Sequence, residues 1–149
     1  METEVVHIED EAGTERLAGR LAGELGRGDI VALLGDLGAG KTAFVRYLAA
    51  ALGLLDGERV ASPSYALVHE YLLRVPRGGA TVLAHLDLYR IAGEDELAGL
   101  GFDELVDEAI TAIEWPERAP STVARASHVL RFEVVGETAR RVTITRQRR

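Results

Sequence analysis

The chain has 149 residues, 47% of them hydrophobic, and a formal net charge of −7. This length and apolar content predict one domain, residues 1–149, with a sizeable core. The chain contains no cysteine, which excludes disulfides, thiolate zinc sites and cysteine nucleophiles, and its negative charge disfavours non-specific contact with nucleic acid.

Targeting segments are not expected from this sequence. Its apolar runs all fall short of the roughly 18 residues that a membrane span requires. The first ten residues, METEVVHIED, are acidic and lack the basic stretch of a secretory signal. We therefore expect a cytoplasmic protein that has no contact with a membrane.

The first part of the chain is predicted to alternate strands and helices. TEVVHI alternates apolar and polar residues, as an edge strand does, and TERLAGRLAGELG predicts a helix with Thr14 as N-cap and Gly26 as C-cap. DIVALL is apolar throughout, which is typical of a buried parallel strand. A glycine-rich loop follows it, and then a helix from about Lys41 to Leu52.

The second part is predicted to contain mostly strands. ALVHEYLLRV and ATVLAHLDLYR flank PRGG as in a hairpin, GEDELAGLGFDELVDEA predicts short helical pieces, and ITAIEW a buried strand. HVLRFEVV and RRVTITR flank GETA as a terminal hairpin. This succession predicts an α/β fold, specifically a P-loop NTPase-like three-layer sandwich with a mixed, mostly parallel sheet and a C-terminal hairpin.

GDLGAGKT, residues 35–42, fits the phosphate-loop pattern G-x-x-x-x-G-K-[ST] between a predicted strand and a predicted helix. Glycines permit the backbone angles that turn amide N–H groups toward phosphate oxygens, and the helix start adds its positive dipole end. Lys41 should reach the terminal phosphates, and the Thr42 hydroxyl should hold magnesium. The predicted nucleotide contacts of this segment are Gly35, Asp36, Leu37, Gly38, Ala39, Gly40, Lys41, Thr42 and Ala43.

Lys41 is the only lysine among 17 basic residues. The chain uses arginine for every other cation, although a compact ammonium fits a narrow phosphate cradle better than a planar guanidinium does. The usage of lysine therefore supports a phosphate site independently of the motif. It also excludes the usual form of the N-K-x-D element that selects guanine, so adenine is the expected base.

Two predicted strands end in a carboxylate, TVLAHLD at Asp87 and ITAIE at Glu114. Ligands of open α/β sheets bind at the carboxyl ends of strands, and magnesium on a nucleotide prefers an additional acidic oxygen ligand. Either carboxylate could hold the metal directly or through water, while the other orients the attacking nucleophile. The alternative is that the two side chains face solvent.

Three further residues are open to more than one interpretation. SPSY, residues 62–65, places Ser64 in a loop that could follow the γ-phosphate as a switch or form a plain turn. His85 would face the same side of its strand as Asp87, or be an ordinary core or surface histidine. Trp115, the only tryptophan, could cover a nucleotide, contact a partner or belong to the core.

With these residues the sequence resembles the TsaE (YjeE) family of small bacterial P-loop ATPases. The segments GDLGAGKT, SPSY followed by LVHEY, HLDLYR and IEWPE occur in the family's order and approximate spacing across residues 35–117, and the N-terminal TERLAGRLA also fits. One departure is Ser64, where the family usually has threonine. The hydroxyl is retained and the methyl group is lost.

The resemblance implies a role in forming threonylcarbamoyladenosine (t6A) on tRNA. It implies ATP and Mg²⁺ as cofactors, slow ATP hydrolysis, and docking on the TsaB–TsaD protein pair, with tRNA involved only indirectly. The residues implied for the site are Lys41 and Thr42 on phosphates and magnesium, Glu114 at the metal, Asp87 in hydrolysis, Ser64 in the catalytic loop, Thr14 near the base or sugar, and Arg140 or Arg141 as a further nucleotide contact.

Two other functions remain as alternatives to a partner-coupled ATPase. A small-molecule kinase would need an arginine-bearing lid, for which Arg59, Arg74 and Arg77 are candidates. A non-hydrolysing adaptor would need nucleotide binding alone. Residues 94–117 carry nine carboxylates and no basic residue, which suits docking on a basic partner surface or a solvated helix face.

Overall fold

A seven-stranded mixed sheet runs through the computed structural model, which describes residues 1–55 and 68–147. The strands are β1 Glu2–Ile8, β2 Ile30–Leu34, β3 Val68–Arg77, β4 Ala80–Asp87, β5 Ile110–Glu114, β6 His128–Val134 and β7 Arg140–Arg146. Their order is β1-β7-β6-β2-β5-β4-β3. The four strands β6, β2, β5 and β4 are parallel neighbours, and β1, β7 and β3 pair antiparallel.

Helices cover both faces of the sheet. They are α1 Glu11–Ala22, α2 Lys41–Leu52, α3 Glu94–Gly99, α4 Phe102–Glu108 and α5 Pro120–Arg125, with a 3₁₀ turn at Pro116–Arg118. Leu17 of α1 and Phe44 of α2 belong to one hydrophobic cluster, and Leu97 of α3 and Phe102 of α4 to the other. The predicted α/β sandwich with a mixed sheet and a C-terminal hairpin is confirmed, and its parallel part consists of the four central strands. That it is one domain stays a prediction.

β2 and α2 together determine where the glycine-rich loop lies. In β2, Val31 and Leu33 contact the cluster under α1 and α2, while Ile30 and Ala32 contact the opposite cluster. Both faces of the strand are buried, as expected at the centre of a parallel sheet. The loop after Leu34 therefore lies at the carboxyl edge of the sheet, where α2 begins. None of the helices in the described ranges is both long and apolar enough to cross a membrane.

The start of α1 differs from the sequence prediction. Asp10, not Thr14, is the N-cap residue, and its Oδ1 accepts a hydrogen bond from the Gly13 amide at 3.1 Å. Aspartate is among the strongest N-cap residues, and with Asp10 as N-cap the helix begins one turn earlier than predicted. Thr14 is consequently buried inside the helix, and the C-cap is Gly23 instead of Gly26.

An ion-pair cluster joins the two ends of the described chain. Arg146 of β7 donates to Glu24 through Nε and Nη2, both at 2.8 Å, and to Glu2 and Glu4 of β1 through Nη1 at 3.0 and 3.2 Å. His128 adds a contact of 3.1 Å from Nε2 to Glu24. The hydrogen bonds from Arg146 lower the pKa of Glu24 from 4.5 to about 2. The cluster thus ties β1, the end of α1 and the C-terminal hairpin together.

Replacing Glu24 with glutamine should lower the Tm at pH 7 by about 3 °C, since the lost pair is partly exposed and contributes about 1 kcal/mol. A carboxyl group whose pKa is lowered by folding stabilises the protein above its unfolded pKa of 4.5, and this contribution disappears as the pH falls toward 2. Circular-dichroism melts from pH 7 to 2 should therefore show the difference shrinking below pH 4.5. The exposed Glu15→Gln variant of α1 is the control, and an equal loss of Tm in both variants would contradict the assignment.

Candidate nucleotide-binding site

The glycine-rich loop forms a turn whose backbone angles require glycine. Gly38 and Gly40 have φ values of 82° and 106°, in the left-handed region. At Gly35 a Cβ atom would lie 2.8 Å from the carbonyl oxygen of Phe132. Gly40 is the N-cap of α2 and offers no side chain to its first turn. The N–H groups of that turn therefore remain directed at the loop, which is the local structure that binds anions.

Lys41 extends from the first turn of α2 back across the loop. Its Nζ donates to the carbonyl oxygen of Gly35 at 2.6 Å and lies 3.7 Å from the centre of the Trp115 ring. The side chain is only 4% exposed. Burial lowers the pKa of Lys41, and the carboxylates of Glu114 and Glu117 partly oppose this effect. The ammonium group is therefore largely buried and contacts a carbonyl oxygen and a ring face, neither of which carries a negative charge.

Thr42 and Glu114 meet beneath the loop. The Thr42 hydroxyl donates to the two carboxylate oxygens of Glu114, at 2.9 Å to Oε1 and 3.1 Å to Oε2. Glu114 also accepts at Oε2 from Nε2 of His85, at 2.7 Å. Glu114 and His85 are 4% and 0% exposed. The sequence predicted Thr42 in the phosphate loop and Glu114 at a strand end next to that loop, but it did not predict that His85 contacts Glu114.

Asp87 lies directly beside Glu114 in the parallel pairing of β4 with β5. Its Oδ1 accepts a hydrogen bond from the Tyr89 amide at 3.0 Å, and its side chain is less buried than that of Glu114. Both carboxylates therefore stand at the carboxyl edge of the sheet, next to the loop. Glu114 is the inner and Asp87 the outer of the two.

These residues surround a cleft of about 240 Å³. Its walls consist of Leu37, Gly38, Gly40, Lys41, Thr42, Ala43, Asp87, Glu114 and Trp115. Gly35, Asp36 and Ala39 line a second cleft on the β6 side of the same loop. Thr14 lies in α1, outside the walls of both clefts, and Ser64 falls outside the described residues.

Trp115 forms part of the wall of the first cleft, and Tyr89 packs against it. The Trp115 and Tyr89 rings lie 4.9 Å apart, and Arg118 lies 5.2 Å from the Tyr89 ring. Trp115 has a φ of 57°. It is the only non-glycine residue of the described ranges whose φ is positive. Such strain persists only where the surroundings enforce it, and it is common at functional sites. The structure thus assigns Trp115 to the wall of the cleft.

The arginines proposed from the sequence occupy different places. Arg140 donates to the carbonyl oxygens of Ala39 at 3.1 Å and Gly38 at 3.4 Å, so it buttresses the loop. Arg141 pairs with Glu133 at 3.0 Å. Arg77 donates to the last carbonyls of α2, at the end of the β3–β4 hairpin farthest from Asp87. Arg77 therefore caps a helix and is not a lid over the cleft.

The fold and the site define a class of α/β protein in which a glycine-rich loop at the carboxyl end of a central parallel strand faces two carboxylates. Comparison with known proteins gives the family. The family model "Threonylcarbamoyl adenosine biosynthesis protein TsaE" matches residues 8–144. The chain belongs to the TsaE family, which takes part in the biosynthesis of t6A in tRNA.

Similar proteins are found in distant bacteria. The tRNA threonylcarbamoyladenosine biosynthesis protein TsaE of Aquifex aeolicus is 37% identical over 143 residues, which cover 95% of this chain and 96% of the relative. The protein of the same name from Streptomyces coelicolor is 37% identical and covers 87% of each chain. A crystal structure of YdiB from Bacillus subtilis shares the fold, with a TM-score of 0.70, 24% identity, and coverage of 97% of this chain and 86% of the other.

Trp115 is expected to report the position of Lys41. Because the ammonium lies against the only indole, moving it toward a phosphate should change the tryptophan emission. A fluorescence titration with Mg-ATP should therefore show a saturable change. The Lys41→Ala variant should already differ from wild type without nucleotide and change little on addition. Unaltered wild-type emission at saturating ATP would contradict this expectation.

Proposed function

We propose that this chain binds and hydrolyses ATP with Mg²⁺ and thereby supports t6A formation in complex with the TsaB–TsaD protein pair. One observation carries the proposal: an ammonium, a hydroxyl and a carboxylate, from Lys41, Thr42 and Glu114, converge at the loop where α2 begins. This is the set of groups that phosphoryl-transfer sites use to hold phosphates and a metal.

The loop and Lys41 would hold the phosphates. The first N–H groups of α2 have no acceptor within the helix and suit phosphate oxygens. Lys41 would exchange the Gly35 carbonyl and the Trp115 ring for charged oxygens, which are stronger acceptors. The lone lysine of the chain is then the residue that recognises the terminal phosphates.

Thr42, Glu114 and Asp87 fit a magnesium ion. All three supply hard oxygen donors, and Mg²⁺ typically takes one or two carboxylates together with substrate phosphates and water. Among the described residues no group of three or more His, Cys, Asp or Glu side chains could hold a metal by itself. When bound, Mg²⁺ would neutralise charge on the phosphates.

The two carboxylates suit different roles in hydrolysis. Glu114 is buried and contacts Thr42, so it suits the metal. Asp87 is more exposed and held by the Tyr89 amide, so it can accept a hydrogen bond from a water molecule and orient it toward the terminal phosphate. A nucleotide site with few other chemical groups beside it fits slow turnover that depends on partners.

The acidic surface supports docking on another protein. The carboxylates of α3 and α4 are exposed, and a negative surface favours a basic partner surface over tRNA. We therefore propose TsaB–TsaD as the direct partner and only indirect involvement of tRNA.

The test is reconstitution of t6A formation from purified TsaB, TsaD, tRNA, a presynthesised threonylcarbamoyl donor and this protein. Complex formation and tRNA modification should depend on ATP and Mg²⁺, with GTP as the control nucleotide. The Lys41→Ala variant should bind ATP poorly. Equal tRNA modification with this variant and with wild type would contradict the proposal. Phosphorylation of a metabolite by the isolated chain would replace it with the kinase alternative.

A further inference from the structure

His85 is a buried polar residue that the proposed chemistry does not use. It lies in β4, is 0% exposed, and its Nε2 lies 2.7 Å from Oε2 of Glu114. In the parallel pairing of β4 with β5, Asp87 is level with Glu114 and His85 is level with Ala112. His85 therefore lies two residues before Asp87 on the same side of β4, farther from the carboxyl edge of the sheet, and its ring reaches the Glu114 carboxylate.

Glu114 is held from two sides. Thr42 of α2 contacts both carboxylate oxygens, and His85 contacts Oε2 from within the sheet. A glutamate side chain has three rotatable bonds, so a carboxylate that must face a metal in one orientation needs such partners. With the Thr42 hydroxyl as its only partner, the Glu114 carboxylate could still rotate about the line that joins it to that hydroxyl.

We propose that His85 is a positioning residue, whose Nε2–H group holds Oε2 of Glu114 in the sheet and thereby leaves Oε1 to face the magnesium site. The inference rests on the proposed function, because it assigns the metal to Glu114. Residues that orient a metal ligand in this way commonly change metal affinity or activity by roughly 10- to 100-fold when they are removed.

The surroundings of His85 determine which nitrogen carries the hydrogen. A carboxylate oxygen only accepts, so Nε2 must donate. Nδ1 is buried and has no hydrogen-bond partner among the described residues. A hydrogen on Nδ1 would be left unpaired in the core, whereas a bare nitrogen there is the less costly arrangement. The Nε2–H form of the imidazole is therefore the one that the site selects.

The experiment measures how much Mg²⁺ strengthens nucleotide binding in four proteins. These are wild type, His85→Gln, His85→Leu and His128→Leu. A glutamine amide can replace the Nε2–H donor, whereas leucine fills the space without a donor. His128 is the matched control, because it is also buried and also contacts a glutamate, Glu24, but it begins β6 at the opposite edge of the sheet.

The ratio of ATP affinities with Mg²⁺ and with a chelator should fall about 10-fold or more in His85→Leu. It should stay within about 3-fold of wild type in His85→Gln and His128→Leu, and affinity without Mg²⁺ should be similar in all four. Should the leucine variant not fold, His85→Asn takes its place, since its shorter amide does not reach Glu114. Nitrogen NMR of labelled histidine in the nucleotide-free protein should show His85 with hydrogen on Nε2.

An unchanged magnesium effect in His85→Leu, or an Nε2 that carries no hydrogen, would overturn the inference and leave the proposed function intact. Failure of Mg²⁺ to strengthen nucleotide binding in wild type would instead overturn the proposed function, and the inference with it. The two failures are therefore distinguishable in one set of titrations.

Discussion

Replacing Lys41 with alanine should weaken ATP binding about 100-fold. The ammonium is buried at the loop and would form one or two charge-assisted hydrogen bonds with phosphate oxygens. Each such bond contributes about 1.5–3 kcal/mol, and about 1.4 kcal/mol corresponds to a tenfold change in affinity. Isothermal titration calorimetry with Mg-ATP measures the loss directly.

Two controls separate the role of Lys41 from that of charge in general. Arg46→Ala removes an exposed cation from the same helix and should leave affinity unchanged. Lys41→Arg keeps the charge, but the planar guanidinium should not fit a space where Nζ lies 2.6 Å from the Gly35 oxygen and 3.7 Å from the Trp115 ring. Wild-type affinity in Lys41→Ala would show that the loop does not bind the nucleotide.

Glu114→Gln should reduce ATP hydrolysis about 100-fold while the protein remains folded. The amide keeps the shape of the side chain and can still contact Thr42 and His85, but it removes the charge that the metal needs. Steady-state phosphate release, measured across a range of Mg²⁺ concentrations, should show both a lower kcat and a higher Mg²⁺ requirement.

Neighbouring carboxylates provide the comparison for Glu114. Glu117→Gln removes an exposed carboxylate near Lys41 and should leave turnover unchanged. Asp87→Asn should lower kcat with little effect on the Mg²⁺ requirement, because Asp87 is proposed to orient water and not to bind the metal. Equal effects of all three substitutions would point to general electrostatics and against separate roles.

The local elements of the fold could be predicted from sequence patterns, but the strand order could not. The helix predicted from Lys41 to Leu52 has those bounds, because its apolar stripe ends at a glycine with a φ of 87°. Strand order depends on pairings between distant segments, such as Leu33 beside Glu114, that no local pattern specifies. α5 could not be predicted because it has only six residues, and Thr122 is the only one of them that is buried, so it has no apolar stripe.

The candidate site also combines residues that the sequence predicts with contacts that only the fold determines. Lys41, Thr42, Asp87 and Glu114 could be predicted because a motif and two strand ends mark them, and the structure brings them into one cleft. The contact of His85 with Glu114 depends on the register between β4 and β5, and the place of Trp115 depends on its unusual backbone angle. The two-residue spacing of His85 and Asp87 predicts that they share a side of the strand, but no spacing in the sequence predicts the contact with Glu114 or the backbone angle of Trp115.

The solitary lysine has a practical consequence for chemical handling of this protein. Apart from any α-amino group, the ε-amine of Lys41 is the one position where an acylating dye or an amine-coupled surface can attach. Attachment there would block the cleft, so labelled or immobilised samples would be those that had lost the pocket. Because Lys41 is only 4% exposed, its acylation should be slow while the protein is folded, and a bound nucleotide should shield the amine further.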